Sequence, residues 1–290
     1  WKADIAMDVL KITKDDSLYP EVLREIYDSP KVLYMAGNIE LLKRKKVAIV
    51  GSRMCSEYGK NSAFNLAKKL STNNICVVSG MATGIDSFSL LGALEADGGT
   101  IAVLGGGVEN VFPKSNYALR NRILENGLII SEHPGDYNPR KYDFPSRNRI
   151  ISGLSEATVI IEAAEKSGSL ITAEYAMDQN RNVYALPGNI TSKYSQGTNR
   201  LIKEGAEPLI NFNDVIHELG LVPKQQDEIR ALLGKDEMKI YDLINKWGEV
   251  SKNYLYQMTG YSEEKLNGFL VLLEMKGLIK SSLGKIYIAG

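Results

Sequence analysis

Four short stretches carry residue types suited to holding an anion. Gly51-Ser52-Arg53 follows the apolar run Lys46–Val50, and Ser79-Gly80-Met81-Ala82-Thr83-Gly84-Ile85-Asp86 follows Ile75–Ser79. Gly105-Gly106-Gly107 follows Thr100–Leu104, and Ser167-Gly168-Ser169-Leu170-Ile171-Thr172-Ala173 opens a helix-like stretch after Ala157–Ile161. Glycine lets backbone N–H groups approach a ligand, helix N-termini favour negative charge, and Ser or Thr hydroxyls donate to phosphate oxygens. Singly, each loop reads as a tight turn, with Ser79 and Ser167 as caps and Asp86 as a helix N-cap. Together they specify phosphate without saying which phosphate.

Positive charge gathers in one segment. Lys114, Arg120, Arg122, Arg140, Lys141, Arg147 and Arg149 fall within residues 111–149, and the run Arg140–Arg149 interleaves them with Tyr142 and Phe144. Cations meet phosphates, and aromatic faces accept unstacked bases. Arg147, Asn148 and Arg149 are expected where a helix begins after Pro145. Other chemistries are not encoded. No GxGxxG opens the first helix, and there is no GxxxxGK followed by Ser or Thr, so dinucleotide and P-loop fingerprints are missing. No Ser, His and Asp fall at a triad spacing. His133 and His217 are too few for a metal cluster, and Cys55 and Cys76 form no CxxC. No cofactor is implied, and two unpaired cysteines fit a reducing cytoplasm.

The elements that must position these loops follow from the apolar pattern. Lys46–Val50, Ile75–Ser79, Thr100–Leu104, Gly127–Ser131, Ala157–Ile161 and Asn182–Leu186 are rich in Val and Ile on consecutive positions, as strands buried on both faces are. Stretches with helical spacing lie between most of them, for example Ala63, Leu66, Ala67 and Leu70. Strand and helix in alternation predict a Rossmann-like α/β domain with a parallel sheet. The tail differs. Met238–Trp247, Tyr254–Met258 and Ser262–Lys276 read as three helices, and Leu278–Lys280 with Lys285–Ile288 as a ribbon around Ser282-Leu283-Gly284. That is the plan of a small winged-helix domain.

With 290 residues there is room for two domains at roughly 100–200 residues each. The expected division is an N-terminal extension over 1–45, the Rossmann-like domain over 46–212, a linker over 213–223 and the winged helix over 224–290. The extension reads as a lead-in or the remnant of a helical domain, with Trp1 in place of Met suggesting a trimmed chain. Apolar residues make up 44% and charged residues 24%, which argues against disorder. Lys+Arg and Asp+Glu both number 35, so the chain is no polycation and any basic site is local. No apolar run nears the roughly 18 residues of a membrane span, and no secretory signal is evident.

Several strings, in order, resemble the DNA processing protein A (DprA, or Smf) family. They are GSR at Gly51–Arg53, SGMATGID at Ser79–Asp86, LGGG at Leu104–Gly107, FPKSN at Phe112–Asn116 and FPSRNRIISGLS at Phe144–Ser155. EAAEKSGSLITAEYA at Glu162–Ala176, ALPGN at Ala185–Asn189 and SQGTNRLIKEGA at Ser195–Ala206 continue the likeness. The resemblance implies a non-enzymatic protein that binds and protects single-stranded DNA in natural transformation, loads the RecA recombinase onto it and forms a homodimer through the Rossmann domain. Carried across by motif, Gly51, Ser52, Arg53 and Lys114 line the DNA pocket. Lys141, Phe144, Arg147, Asn148 and Arg149 flank it, with Phe144 as the stacking platform, and Ser167, Gly168 and Ser169 form a phosphate-binding floor. Phe112 stands where the family commonly has Tyr. Glu263, Glu264 and Glu274 in the third tail helix suit a protein contact better than a duplex. An enzymatic alternative also exists. Gly168, Thr172 and Glu174 resemble the motif of phosphoribohydrolases, although the doubled glycine is missing, and a nucleotide sensor could use the same pocket.

Overall fold

The computed structural model describes residues 8–224, 229, 232–282 and 284–288. The chain forms two compact units that divide between Leu221 and Val222.

The first unit is built on one sheet. Its strands are β1 (Leu10–Thr13), β2 (Val32–Gly37), β3 (Lys46–Val50), β4 (Cys76–Ser79), β5 (Thr100–Leu104), β6 (Leu128–Ser131), β7 (Ala157–Ile160), β8 (Asn182–Ala185) and β9 (Glu207–Pro208). Their order is β1-β2-β6-β5-β4-β3-β7-β8-β9. From β3 onward the pairings are parallel, with Val47 beside both Val77 and Ala157, whereas β1 and β2 join antiparallel at the β6 edge. β3 is buried along its whole length. It also marks the reversal of the winding, since β4, β5 and β6 extend to one side and β7, β8 and β9 to the other. Open α/β sheets hold ligands at that reversal, beyond the carboxyl ends of the strands.

Helices cover both faces. They are α1 (Glu21–Arg24), α2 (Glu57–Thr72), α3 (Ile85–Ala93), α4 (Tyr117–Asn126), α5 (Asp143–Gly153), α6 (Gly168–Asp178), α7 (Gln196–Lys203) and α8 (Phe212–Glu218). Alternate residues of one strand serve the two layers, because successive side chains point to opposite faces. Ala48 and Val50 pack with Ile150 and Ile151 of α5 and with Leu170 and Ala173 of α6. Val47 and Ile49 pack with Leu66 and Leu70 of α2 and with Ile85 of α3. The two helices that carry the basic–aromatic run and the Ser-Gly-Ser loop therefore share one face, and the helices after β3 and β4 share the other.

The six expected strands form within one residue of their expected ends, and the fold is Rossmann-like. Two expectations change. Residues 1–45 were expected to precede the sheet, but Leu10–Thr13 and Val32–Gly37 are strands of it, and Leu33 and Met35 are fully buried. Residues 213–223 were expected as a linker. They instead carry most of α8, whose Val215 and Ile216 are core residues. α8 is amphipathic: Val215 and Ile216 are buried while His217 and Glu218 stay exposed, so too few core positions mark it in the sequence.

The second unit is a winged helix. α9 (Lys235–Trp247), β10 (Glu249–Ser251), α10 (Lys252–Thr259), α11 (Glu263–Met275), β11 (Ile279–Ser282) and β12 (Lys285–Ile288) follow in that order. The three strands pair antiparallel as β10-β12-β11. Ile240, Ile244, Leu255, Leu266, Leu270, Leu273 and Ile286 form its core. The sequence pattern does not mark β10, since three residues are too few to show an alternation. Leu283 of the expected ribbon turn lies outside the described residues. Lysines of this unit pair with its own acids: Lys265 with Asp236 at 2.8 Å, Lys276 with Glu237 at 2.7 Å, and Lys285 with Glu249. Among the described residues of both units, no helix is long and apolar enough to cross a membrane.

Candidate nucleic-acid interface

Because β3 and β7 are neighbours in register, the loops that leave Val50 and Ile160 open into one crevice. It holds a cavity of about 430 Å³. One wall is Gly51, Ser52, Arg53 and Met54; the opposite wall is Ser167, Gly168, Ser169 and Thr172 at the start of α6. Phe144, Pro145, Arg147 and Asn148 of α5 close the third side, with Ala82 and Asp86 beneath.

Local chemistry sets each wall. Gly84, at φ 78°, packs so closely that a side chain there would collide with the Ser52 and Arg53 carbonyls. Ile85 N–H donates to the Ser52 carbonyl oxygen at 3.2 Å. The helix α3 thus presses the Ser52–Arg53 turn into place. At α6, Ser167 is the N-cap, and its hydroxyl lies 2.8 Å from that of Ser169. Nothing lies near the position a Gly168 side chain would take, so the first turn of α6 faces open space. A helix start with two hydroxyls and an unobstructed backbone suits a phosphate.

The floor carries two opposed charges. Arg147 is buried, and its guanidinium donates to the Gly80 carbonyl oxygen at 2.7 Å and to that of Val103. Asp86 is buried as well and accepts the Gly80 and Ala82 N–H groups at 3.2 and 3.3 Å. Burial pulls Arg147 down to about 10 and the Asp86 charge resists it; burial raises Asp86 and the Arg147 charge resists that. Both groups are committed to holding the Gly80–Ala82 turn.

The lip is different. Arg53 is exposed, and its guanidinium carbon stands 5.8 Å from the centre of the Phe144 ring. The Phe144 ring in turn lies 5.2 Å from that of Phe112, tilted by 43°. These three side chains, with Thr83 and Pro113, edge a second cavity of about 180 Å³ beside the first. A cation and an aromatic pair at the mouth of a phosphate-sized crevice can hold a phosphate and a base of the same strand.

Gly51, Ser52, Arg53, Phe144, Arg147, Asn148, Ser167, Gly168 and Ser169 are therefore brought together in one cavity. Lys114 and Lys141 are exposed but outside its walls. Arg149 is held elsewhere: Nε donates to Asp28 at 2.8 Å, and Nη2 donates to both Glu132 oxygens at 2.8 Å. It edges a separate cavity with Tyr27 and Tyr175. The reason is helical geometry, since residues two apart do not share a face. The helix begins at Asp143, before Pro145 and not after it. The Gly105–Gly107 loop also stays outside the crevice walls, with Gly107 N–H donating to the Tyr137 carbonyl oxygen at 2.9 Å. Asp86, read as a cap, instead grips the preceding turn. Ile151 was overlooked, although it follows Arg147 by four residues and so lies on the same face.

The fold is that of a Rossmann-type α/β unit, with its crevice at the reversal of the sheet, followed by a winged-helix unit. A family model for DNA recombination-mediator protein A matches residues 11–220, and the chain belongs to that family. The DNA processing protein DprA of Bacillus subtilis is 42% identical over 202 residues, which is 69% of this chain and 68% of that protein. The X-ray structure of DprA from Streptococcus pneumoniae aligns with a TM-score of 0.69 at 43% identity, covering 72% of this chain and 74% of that one. A structure of the Helicobacter pylori protein, described for its single-stranded DNA binding mode, aligns with a TM-score of 0.66 at 32% identity, over 73% and 95% of the chains.

Proposed function

We propose that this chain is a single-stranded DNA-binding protein of the DprA type. It runs the sugar-phosphate backbone across the β3–β7 crevice and rests a base on Phe144. The observation that carries this reading is the lip, where exposed Arg53 stands over Phe144 at the mouth of a cavity walled by glycine backbone and hydroxyls. The strand-binding relative from Helicobacter pylori supports it. Lys114 and Lys141, exposed beyond the cavity, contact flanking phosphates. By family, the chain acts in the cytoplasm as a homodimer, protects incoming DNA and loads RecA onto it in transformation and recombination.

It binds rather than catalyses. The phosphoribohydrolase alternative needs Glu174 at the bound ribose, and Glu174 is exposed and absent from the residues that line the crevice. Fluorescence anisotropy of a labelled oligo-dT against its duplex, at low and moderate salt, tests the binding. Salt-sensitive preference for the single strand is expected. Equal binding of both forms, or none at low salt, removes the reading. RecA assembly on a strand coated with a single-strand binding protein, with and without this chain, tests the loading step.

A further inference from the structure

Glu162 lies just after β7, and only 3% of it is exposed. A carboxylate is costly to bury unless its oxygens are met. Among the described residues, those of Glu162 are met by Ser56: its N–H donates to Oε2 at 2.8 Å, and its Oγ donates to Oε1 at 2.5 Å. The Glu162 backbone reaches the same loop from its other end, its carbonyl oxygen accepting Ser52 N–H at 2.7 Å. One residue thus grips the Gly51–Ser56 loop at both ends, and Arg53 lies between the grips.

The second grip continues into α2. Ser56 is the N-cap, and its hydroxyl accepts Gly59 N–H at 3.1 Å. A side chain at Gly59 would strike the Glu162 carboxylate, so the backbone of α2 is fitted to that group. The charge itself lies where the α2 dipole favours it. A helix cap alone does not call for this arrangement, because Ser56 already supplies one. The buried carboxylate adds orientation: it ties the start of α2, and with it the Arg53 loop, to the end of β7.

We infer that Glu162 is a positioning residue of the crevice, fixing the Gly51–Ser56 loop so that Arg53 reaches a phosphate and the Phe144 ring together. The inference rests on the single-stranded DNA reading above. Glu162 itself does not touch the strand and works through Arg53.

The test is anisotropy with oligo-dT on the full chain as E162A, E162Q, S56A and R53A, and with E162A and S56A each combined with R53A. E162A is expected to bind about tenfold more weakly, the scale of one lost charge-assisted contact. Its salt dependence is expected to flatten by about the 0.7 that one phosphate contributes. E162Q, which keeps one acceptor for Ser56 N–H while Ser56 Oγ accepts from its amide, recovers most of the loss. In the R53A background, E162A adds little. Folded E162A with wild-type affinity and slope overturns the inference, and so does a full further loss on top of R53A. If E162A does not fold, S56A decides: several-fold weakening that vanishes in R53A supports the role, and unchanged affinity overturns it. Absence of strand binding by the wild type would instead remove the functional reading itself.

Discussion

The Arg53 guanidinium carbon stands 5.8 Å from the centre of the Phe144 ring, although Arg53 lies in the loop after β3 and Phe144 in the first turn of α5. A cation over a ring face is attracted by its quadrupole, by roughly 0.5–1 kcal/mol at an exposed site. The contact orients an otherwise mobile side chain while leaving its N–H groups free to donate. Arg53→Ala is therefore expected to lower affinity for oligo-dT about tenfold and to flatten the salt dependence by about 0.7. Arg53→Lys keeps the charge but loses the planar fork, so it recovers the slope better than the affinity. An Arg53→Ala protein with the wild-type slope would take Arg53 out of the interface.

Phe144 offers its face to any base, since every base has a π-face. Phe144→Ala is expected to cost about 1–3 kcal/mol of binding and to flatten the salt slope less than Arg53→Ala does. The same loss on oligo-dT and oligo-dA marks a stacking platform. A loss confined to one base would point to hydrogen-bonded recognition instead.

Much of this arrangement was legible in the residues. β3, β4, β5, β6 and β7 are short, mostly Val- and Ile-rich runs buried on both faces, and such runs stand out against glycine and serine nearby. The loops after β3 and β7 were legible for the same reason. β1 and β2 were not, because an edge of the sheet mixes buried and exposed positions and Leu10 and Lys11 look like surface. Arg149 shows the limit for site residues. Type and neighbourhood marked it as a DNA contact, but its direction depends on where α5 begins and on Asp28 and Glu132, far away in sequence. Glu162 sat within a motif string, and its role needed the knowledge that β3 and β7 are neighbours.

Arg149 and Arg53 are accordingly expected to behave differently on substitution. Removing the Arg149 side chain leaves the buried part of its site and the Glu132 carboxylate without their partner. Arg149→Ala is expected to lower unfolding stability by about 1–3 kcal/mol, the cost of losing hydrogen bonds to a charged group. The oligo-dT salt slope stays at the wild-type value. Urea denaturation beside anisotropy reads both quantities, and a flattened slope in a fully folded Arg149→Ala protein would return Arg149 to the interface.

Arg147 and Asp86 share one buried floor, so their substitutions are coupled. Arg147→Met leaves Asp86 buried without its opposing charge and is expected to cost on the order of 3 kcal/mol in stability. Adding Asp86→Asn removes the stranded charge and keeps a side-chain oxygen for the Gly80 and Ala82 N–H groups. The double variant is thus expected to be more stable than Arg147→Met alone. Additive losses in urea denaturation would mean that the two groups act independently.

The winged-helix unit carries the clearest dependence on pH. Hydrogen bonds from Lys265 and then Tyr261 hold Asp236 below its ordinary value of 3.8. The Lys276 ammonium, followed by Gly234 N–H, holds Glu237 below 4.5. A depressed folded value means that the unfolded chain binds protons first as the pH falls. The stabilisation is complete above about 4.5 and is lost as the pH drops through the lower folded values. Glu237→Gln keeps an acceptor but gives up the charge, so it is expected to be less stable than wild type at pH 7. That gap narrows as the pH falls from about 4.5 towards 2, because protonation removes the same charge from the wild type. Of the two tryptophans, Trp247 lies in this unit, so fluorescence in a Trp1→Phe background follows its unfolding alone. A gap that stays constant across this range would show that the Glu237 charge contributes nothing to holding the unit together.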